Sequence, residues 1–176
     1  MNSQNIQYVL LIDSHRVPDA AYLAVKNEHI CGALYQNTQW EPQMDNSPVW
    51  LMVKPEDEVW QLWQTDSLWA SSGVIFEYDA TISQEEIIIS LQRHITVYSE
   101  DGRLFVLRFY SPYTLTKILK NLQGHLITAL LGKACAVSIS ACLFSLYGYT
   151  KINNPKIISE DSQFELPNEF IKELYQ

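Results

Sequence analysis

An α/β (α+β) fold, one mixed β-sheet covered by helices, is what this sequence predicts, and three observations predict it. Residues 73–78 (GVIFEY) are apolar at nearly every position, as expected of a central strand covered on both faces. Short apolar runs alternate with segments of helical spacing, the pattern of a sheet dressed with helices. Asp101 and Gly102 lie between the alternating segments 95–98 and 104–109, and this dipeptide tolerates the positive φ of a tight turn, so an antiparallel hairpin is expected at about 95–109. At 176 residues and 47% hydrophobic composition, the chain reads as a single domain, 1–176, with enough apolar surface for a real core.

Taken in order, residues 8–12 (YVLLI) form the opening strand. Pro18 and Asp19 start an Ala-rich helix reaching about His29, since proline suits a first helical turn. Residues 31–35 read as a second strand, 36–48 as a polar, proline-containing loop and 49–53 as a third strand. Pro55 is expected in the first turn of the next helix, where Glu56, Asp57 and Glu58 complement its positive end; Val59, Leu62 and Trp63 form its apolar face. Ser83 and Glu86 spell a capping box for a helix over 83–94, despite the β-branched run Ile87, Ile88 and Ile89. In the hairpin, alternation puts Phe105, Leu107 and Phe109 on one face and Leu104, Val106 and Arg108 on the other. Ser111 and Pro112 open a helix with Leu115, Ile118, Leu119 and Leu122 at core spacing. A helical turn, two strands within 134–150, a polar linker around KINNPK and an acidic helix from Pro167 follow.

The formal charge of −8, from 20 acidic and 12 basic residues, argues against nucleic acid and anionic membrane surfaces, because both draw affinity from clustered Lys and Arg. Cys31, Cys135 and Cys142 form no CxxC pair and leave an odd thiol, which suits a reducing compartment. Nothing in MNSQNIQYVLLID reads as a signal peptide, so a cytoplasmic location is expected. Residues 126–149 are long enough to span a bilayer, but a mid-helix Lys133 costs about 2.5 to 3.5 kcal/mol on insertion. Val137 and Ile139 alternate there with Ser138 and Ser140, as in a half-exposed strand, and no membrane insertion is expected.

Catalytic patterns are sparse. Asp13, Ser14 and His15 are the residue types of a hydrolase triad, but neighbours on one extended segment point opposite ways and cannot relay a proton. Ser71-Ser72-Gly73 precedes a strand, whereas a nucleophile elbow follows one. His15, His29, His94 and His125 lack metal-ligand spacing and read as surface or helix-end histidines, so no metal is expected. Cys135 and Cys142 read as small buried hydrophobes, and the six glycines spell no phosphate-binding loop, so no cofactor is expected. Arg108, a guanidinium on an otherwise apolar strand face, is expected to pair with a carboxylate if buried: Asp13, Glu77 or Asp79.

The aromatic residues are more telling. All five tryptophans lie between Trp40 and Trp69, and one narrow helical stripe cannot hide both Trp60 and Trp63 beside Val59 and Leu62. Part of the cluster is therefore expected at the surface, Trp40 and Trp60 first, where tryptophan makes binding hot spots. The plainer alternative is that the tryptophans fill the core between sheet and helices. The candidate partner-binding set is Trp40, Trp60, Trp63, Trp69, Tyr110 and Tyr113.

Four motifs occur in order: LLID (10–13), WLM (50–52), SSGVIFEYDA (71–80) and ITVYSEDGRLFVLRFYSP (95–112). Together they resemble the adaptor-chaperones of bacterial type VI secretion, the family of domain of unknown function 4123, over about residues 8–122, with weaker agreement across 123–176. LLID matches the family's opening strand, Trp50 and Leu51 the next, Gly73 to Asp79 the central strand, and Arg108-Phe109-Tyr110 with Pro112 the closing strand-to-helix signature. Ser111 stands where many relatives carry an acidic residue, and it still suits a helix cap. Many relatives also continue into a sizeable helical C-terminal lobe, whereas this chain ends soon after Phe170.

The resemblance implies a cytoplasmic adaptor that recognises one effector, helps load it onto a VgrG-type spike protein, remains behind when the spike is fired, and carries no catalytic residues. The tryptophan-rich region and the acidic surface are then expected to contribute to the effector contact. The competing expectation is a small cytosolic α/β enzyme, a hydrolase using Asp13 or Asp79. An adaptor gains stability on complex formation, whereas an enzyme needs no partner for it.

Overall fold

The computed structural model describes residues 5–121, 124–157 and 165–175, with the backbone alone at 124–126. β1 (Ile6–Ile12) leads into α1 (Ala20–Lys26) and β2 (Cys31–Ala33), and a 3-10 turn at Glu41–Asn46 precedes β3 (Val49–Val53). Next come α2 (Glu58–Thr65), α3 (Ser67–Ala70), β4 (Gly73–Asp79) and α4 (Gln84–Gln92), then the hairpin strands β5 (Thr96–Ser99) and β6 (Leu104–Val106). The remainder is α5 (Pro112–Asn121), α6 (Gly124–Leu131), β7 (Ala136–Ser138), α7 (Phe144–Tyr147), β8 (Lys151–Asn153), β9 (Glu165–Leu166) and α8 (Asn168–Tyr175).

Among these residues six strands form one sheet in the order β2-β3-β1-β4-β7-β8, with every neighbouring pair antiparallel. The hairpin joins β9 in a second sheet, β6-β5-β9, where β5 and β9 run parallel. The α/β class and the helix-covered sheet are as the sequence predicts. Where one mixed sheet is expected, the described residues form two: the main sheet is antiparallel throughout, and the hairpin lies with the parallel pair β5-β9 in a second, small sheet.

Strand alternation divides the core in two. β1 deals Val9 and Leu11 to one face and Leu10 and Ile12 to the other, while β4 opposes Val74, Phe76 and Tyr78 to Ile75. The first face is covered by α4, α5 and the segment after β6, through Leu91, Leu115 and Phe109. The second is covered by α1, α2 and α3, through Ala24, Val59 and Trp69. Each fully buried aliphatic or aromatic side chain contributes roughly 1.5 to 3 kcal/mol, so a strand buried on both faces has to be apolar throughout. Gly73 opens β4 because a Cβ there would sit 2.9 Å from the Leu11 carbonyl oxygen, inside a backbone contact.

Local chemistry places the element ends. The Ser83 hydroxyl accepts the Glu86 N–H at 3.3 Å while Glu86 Oε2 accepts the Ser83 N–H at 3.1 Å, completing the capping box. Gly102 takes φ +80° in the hairpin turn. Pro55, expected inside the first turn of α2, lies before it. Asp57 is the cap instead, its Oδ1 accepting the Trp60 N–H at 2.7 Å, and Glu56 at φ +77° keeps the preceding residues out of the helix. α1 and β2 are shorter than expected, β6 ends at Val106 where a strand to 109 is expected, so Arg108 lies just beyond it, and Leu122 lies outside the described residues.

The C-terminal third departs furthest from expectation. Of the two strands expected within 134–150, β7 is present. The rest is a 3-10 turn at Ala141–Leu143, capped by the Ser140 hydroxyl, and α7. The first three residues of the expected linker KINNPK form the edge strand β8, paired with β7. Among the described residues no helix is long and apolar enough to cross a membrane. Cys142, expected to be buried, is exposed in the 3-10 turn.

His94, at the end of α4, is a helix-end histidine as expected but a buried one, with Nδ1 2.7 Å from the Ser90 carbonyl and Nε2 2.9 Å from the Ala129 carbonyl. Burial lowers its pKa below the ordinary 6.5, against the raising effect of the two carbonyls. The unfolded imidazole therefore takes up a proton, as pH falls through 6.5, that the folded one resists, and stability present above that pH is lost below it. The stability difference between wild type and His94→Gln is expected to shift in favour of the variant from about pH 7 to about pH 5, read by urea denaturation. A difference constant over that range would contradict the assignment. The side chain of His125 lies outside the described residues.

Candidate functional site

Leu107 and Phe109 are buried in the core on either side of Arg108, so the backbone after β6 turns the Arg108 side chain outward. There it meets the end of β1. Arg108 Nη2 donates to Asp13 Oδ2, and Arg108 Nε donates to the Tyr110 hydroxyl at 3.2 Å. Asp13 is itself fixed: its N–H bonds the Ser72 carbonyl at 2.9 Å, and its Oδ1 accepts the backbone N–H of His15 at 3.0 Å and of Arg16 at 3.4 Å. Of the three carboxylates considered for Arg108, Asp13 is thus the one it contacts. Glu77 instead holds Lys151 at 2.7 Å, and Asp79 accepts the Thr81 N–H and hydroxyl at 2.9 and 2.6 Å. Because the Arg108 side chain is 55% exposed, this pair contributes only about 0 to 1 kcal/mol, and its value is to orient the guanidinium.

Two grooves flank Arg108. The first, about 410 Å³, is walled by Tyr35, Trp40, Val106 and Tyr110, with His15 and Asn46 at its polar side. Trp40 is half-buried and anchored by its indole N–H on the Thr96 hydroxyl at 2.8 Å. Burial, the leading cause, raises the pKa of both the Tyr35 and Tyr110 hydroxyls, so both phenols stay protonated at neutral pH. The second groove, about 330 Å³, is lined by Asp13, Arg16, Arg108, Ser71, Tyr113 and Tyr175, among others.

The expected partner-binding residues do not form one surface. Tyr110 and Trp40 wall the first groove, and Tyr113, which is exposed, lines the second. Trp60 packs edge-on against Tyr8 at 5.2 Å on the opposite face of the sheet. Trp63 and Trp69 are 2% and 7% exposed, so as core residues their rings offer a partner almost no surface. Trp63 is further tied down by its indole N–H on the Gly73 carbonyl at 3.0 Å. Sequence reasoning missed Tyr35, Arg16, Ser71 and Tyr175. Arg16 had a usable signal: it stands three residues after Asp13, the reach of a side-chain turn.

The triad residue types at 13–15 are separately engaged. The Ser14 hydroxyl donates to the Ser47 carbonyl at 2.7 Å, and His15 Nε2 lies 2.6 Å from Asn46 Oδ1. Asp13 has both oxygens occupied by donors, and hydrogen bonds from Thr81 hold Asp79 below the usual carboxylate range, so neither is poised as a general base. Among the described residues no three His, Cys, Asp or Glu side chains gather as a metal ion would need. The arrangement sets aromatic walls on one side of Arg108 and cationic and hydroxyl groups on the other.

Compared with family models, the chain matches the one described as a domain of unknown function (DUF4123) over residues 8–127. No curated protein and no solved structure matches it.

Proposed function

The chain belongs to the family of domain of unknown function 4123, and on that premise we propose that it is a cytoplasmic adaptor-chaperone that binds a type VI secretion effector and helps load it onto a VgrG-type spike protein, without catalysis. One observation carries this reading. Asp13, closing the LLID motif, and Arg108 and Tyr110, from the RFY motif, are about a hundred residues apart in sequence yet meet where the two grooves adjoin, and this convergence of the motifs behind the resemblance supports the reading. Half-buried Trp40 and the exposed, oriented Arg108 guanidinium are the residue types of a protein-binding hot spot, while Tyr35 and Tyr110, 4% and 3% exposed, form the floor that supports them. The acidic excess of the chain further disfavours nucleic acid as the partner.

A host strain lacking this chain tests the loading role. Export of one effector is expected to stop while other effectors of the same secretion machine still leave, and the chain supplied in trans is expected to restore it. Unchanged export of every effector would reject the role.

A further inference from the structure

The second groove has a charge balance opposite to that of the whole chain. It is walled by two guanidinium groups, Arg16 and Arg108, and one carboxylate, Asp13, in a protein of net charge −8. Asp13 has little left to offer, since its Oδ1 accepts two backbone N–H groups and its Oδ2 accepts Arg108. Arg16 Nη2 donates to a neutral group, the Ser71 hydroxyl, at 2.9 Å, and among the described residues no carboxylate pairs with its guanidinium. Ser111 and Thr114, at the opening of α5, add hydroxyls to the same wall beside the positive end of that helix.

The rim is apolar. Tyr113 and Tyr175 line the opening and are both exposed. Tyr147 lies within electrostatic reach of Tyr113 and Arg16 and belongs to α7, where Phe144 and Leu146 are also well exposed. A small free anion would use only the arginines, whereas a polypeptide can use the arginines and the aromatic rim together.

We propose that this groove seats an acidic side chain of a partner polypeptide, its carboxylate held between Arg16 and Arg108 while an adjoining apolar residue covers Tyr113 and Tyr175. The proposal deepens the adaptor reading and rests on it for the identity of the partner. Guanidinium and carboxylate are matched in planar geometry, and the groove supplies two such donors, both exposed to an incoming side chain.

The test uses the full chain labelled with 15N-arginine, following the side-chain Nε–Hε resonances. The probes are N-acetyl-Phe-Asp amide, its Asn counterpart and inorganic phosphate. With the Asp peptide, the Arg16 and Arg108 signals are expected to shift saturably while Arg103, paired with Asp101, stays in place. Arg16→Gln is expected to weaken that binding about tenfold or more. Equal shifts with the Asn peptide, tighter binding of phosphate than of the Asp peptide, or a dimer that Arg16→Gln dissolves would each overturn it. The outcome separates from that of the adaptor reading. If the host yields no effector yet the Asp peptide binds, the groove stands and the adaptor role falls; if an effector binds wild type and Arg16→Gln equally, the groove falls and the adaptor role stands.

Discussion

Replacing Phe109 by alanine is expected to cost about 3 to 5 kcal/mol of stability, because truncating a buried phenylalanine removes its transfer energy and leaves a cavity. The ring is fully buried and meets Phe76 edge-on at 5.9 Å, His94 at 5.7 Å and Tyr110 at 6.1 Å. It ties the segment after β6 to the central strand β4, so its loss loosens the backbone that aims Arg108 and Tyr110. Against a domain stability of about 5 to 15 kcal/mol, such a variant sits near unfolding. Urea denaturation should show a lower midpoint at an unchanged slope. Leu104→Ala, on the exposed face of the same hairpin, should stay within about 0.5 kcal/mol of wild type. A Phe109→Ala loss below about 1 kcal/mol would contradict the packing described.

The second large effect concerns binding. If the proposed effector docks in the aromatic groove, Trp40→Ala is expected to lower its affinity about 30-fold or more, corresponding to the roughly 2 kcal/mol that marks a hot spot. Trp60→Ala serves as the internal comparison, since Trp60 packs on the opposite face of the sheet and should change affinity less than about threefold. Calorimetric titration of the captured effector decides between them, at a temperature where both variants are folded. Equal losses for the two variants, or none for Trp40→Ala, would move the contact elsewhere.

The features legible in the sequence are those with a local physical signature. The apolar run of β4, the Ser83 and Glu86 capping box and the Asp101-Gly102 turn each specify their geometry within a few residues, and each is found where expected. The pairing of Arg108 was legible as a need for a carboxylate, because an arginine among apolar neighbours calls for one; which of three would answer depended on where β1 ends in space. Edge strands β8 and β9 are only three and two residues long, too short for alternation to register, and β8 is held by its pairing with β7 rather than by its own pattern.

The tryptophans illustrate the same limit. Helical spacing argued that α2 could not hide Trp60 and Trp63 together, and Trp60 is indeed only half-buried; what spacing could not show is that α3 and the Gly73 carbonyl give Trp63 and Trp69 a buried setting. The second groove was invisible because Arg16, Ser71, Tyr113 and Tyr175 come from four separate segments with no common spacing. Only the antiparallel pairing of β1 with β4 brings Arg16 and Ser71 together.

The function proposed for this chain is to hold a protein partner. Affinity capture of the tagged full chain from its own host's lysate, with co-purifying proteins identified by mass spectrometry, tests it most directly. The account predicts near-equal recovery of one toxin-domain effector, with or without a spike component, and an increase in the chain's melting temperature in that complex. Recovery of the chain alone, with its stability unchanged by any purified effector of the host, would contradict it.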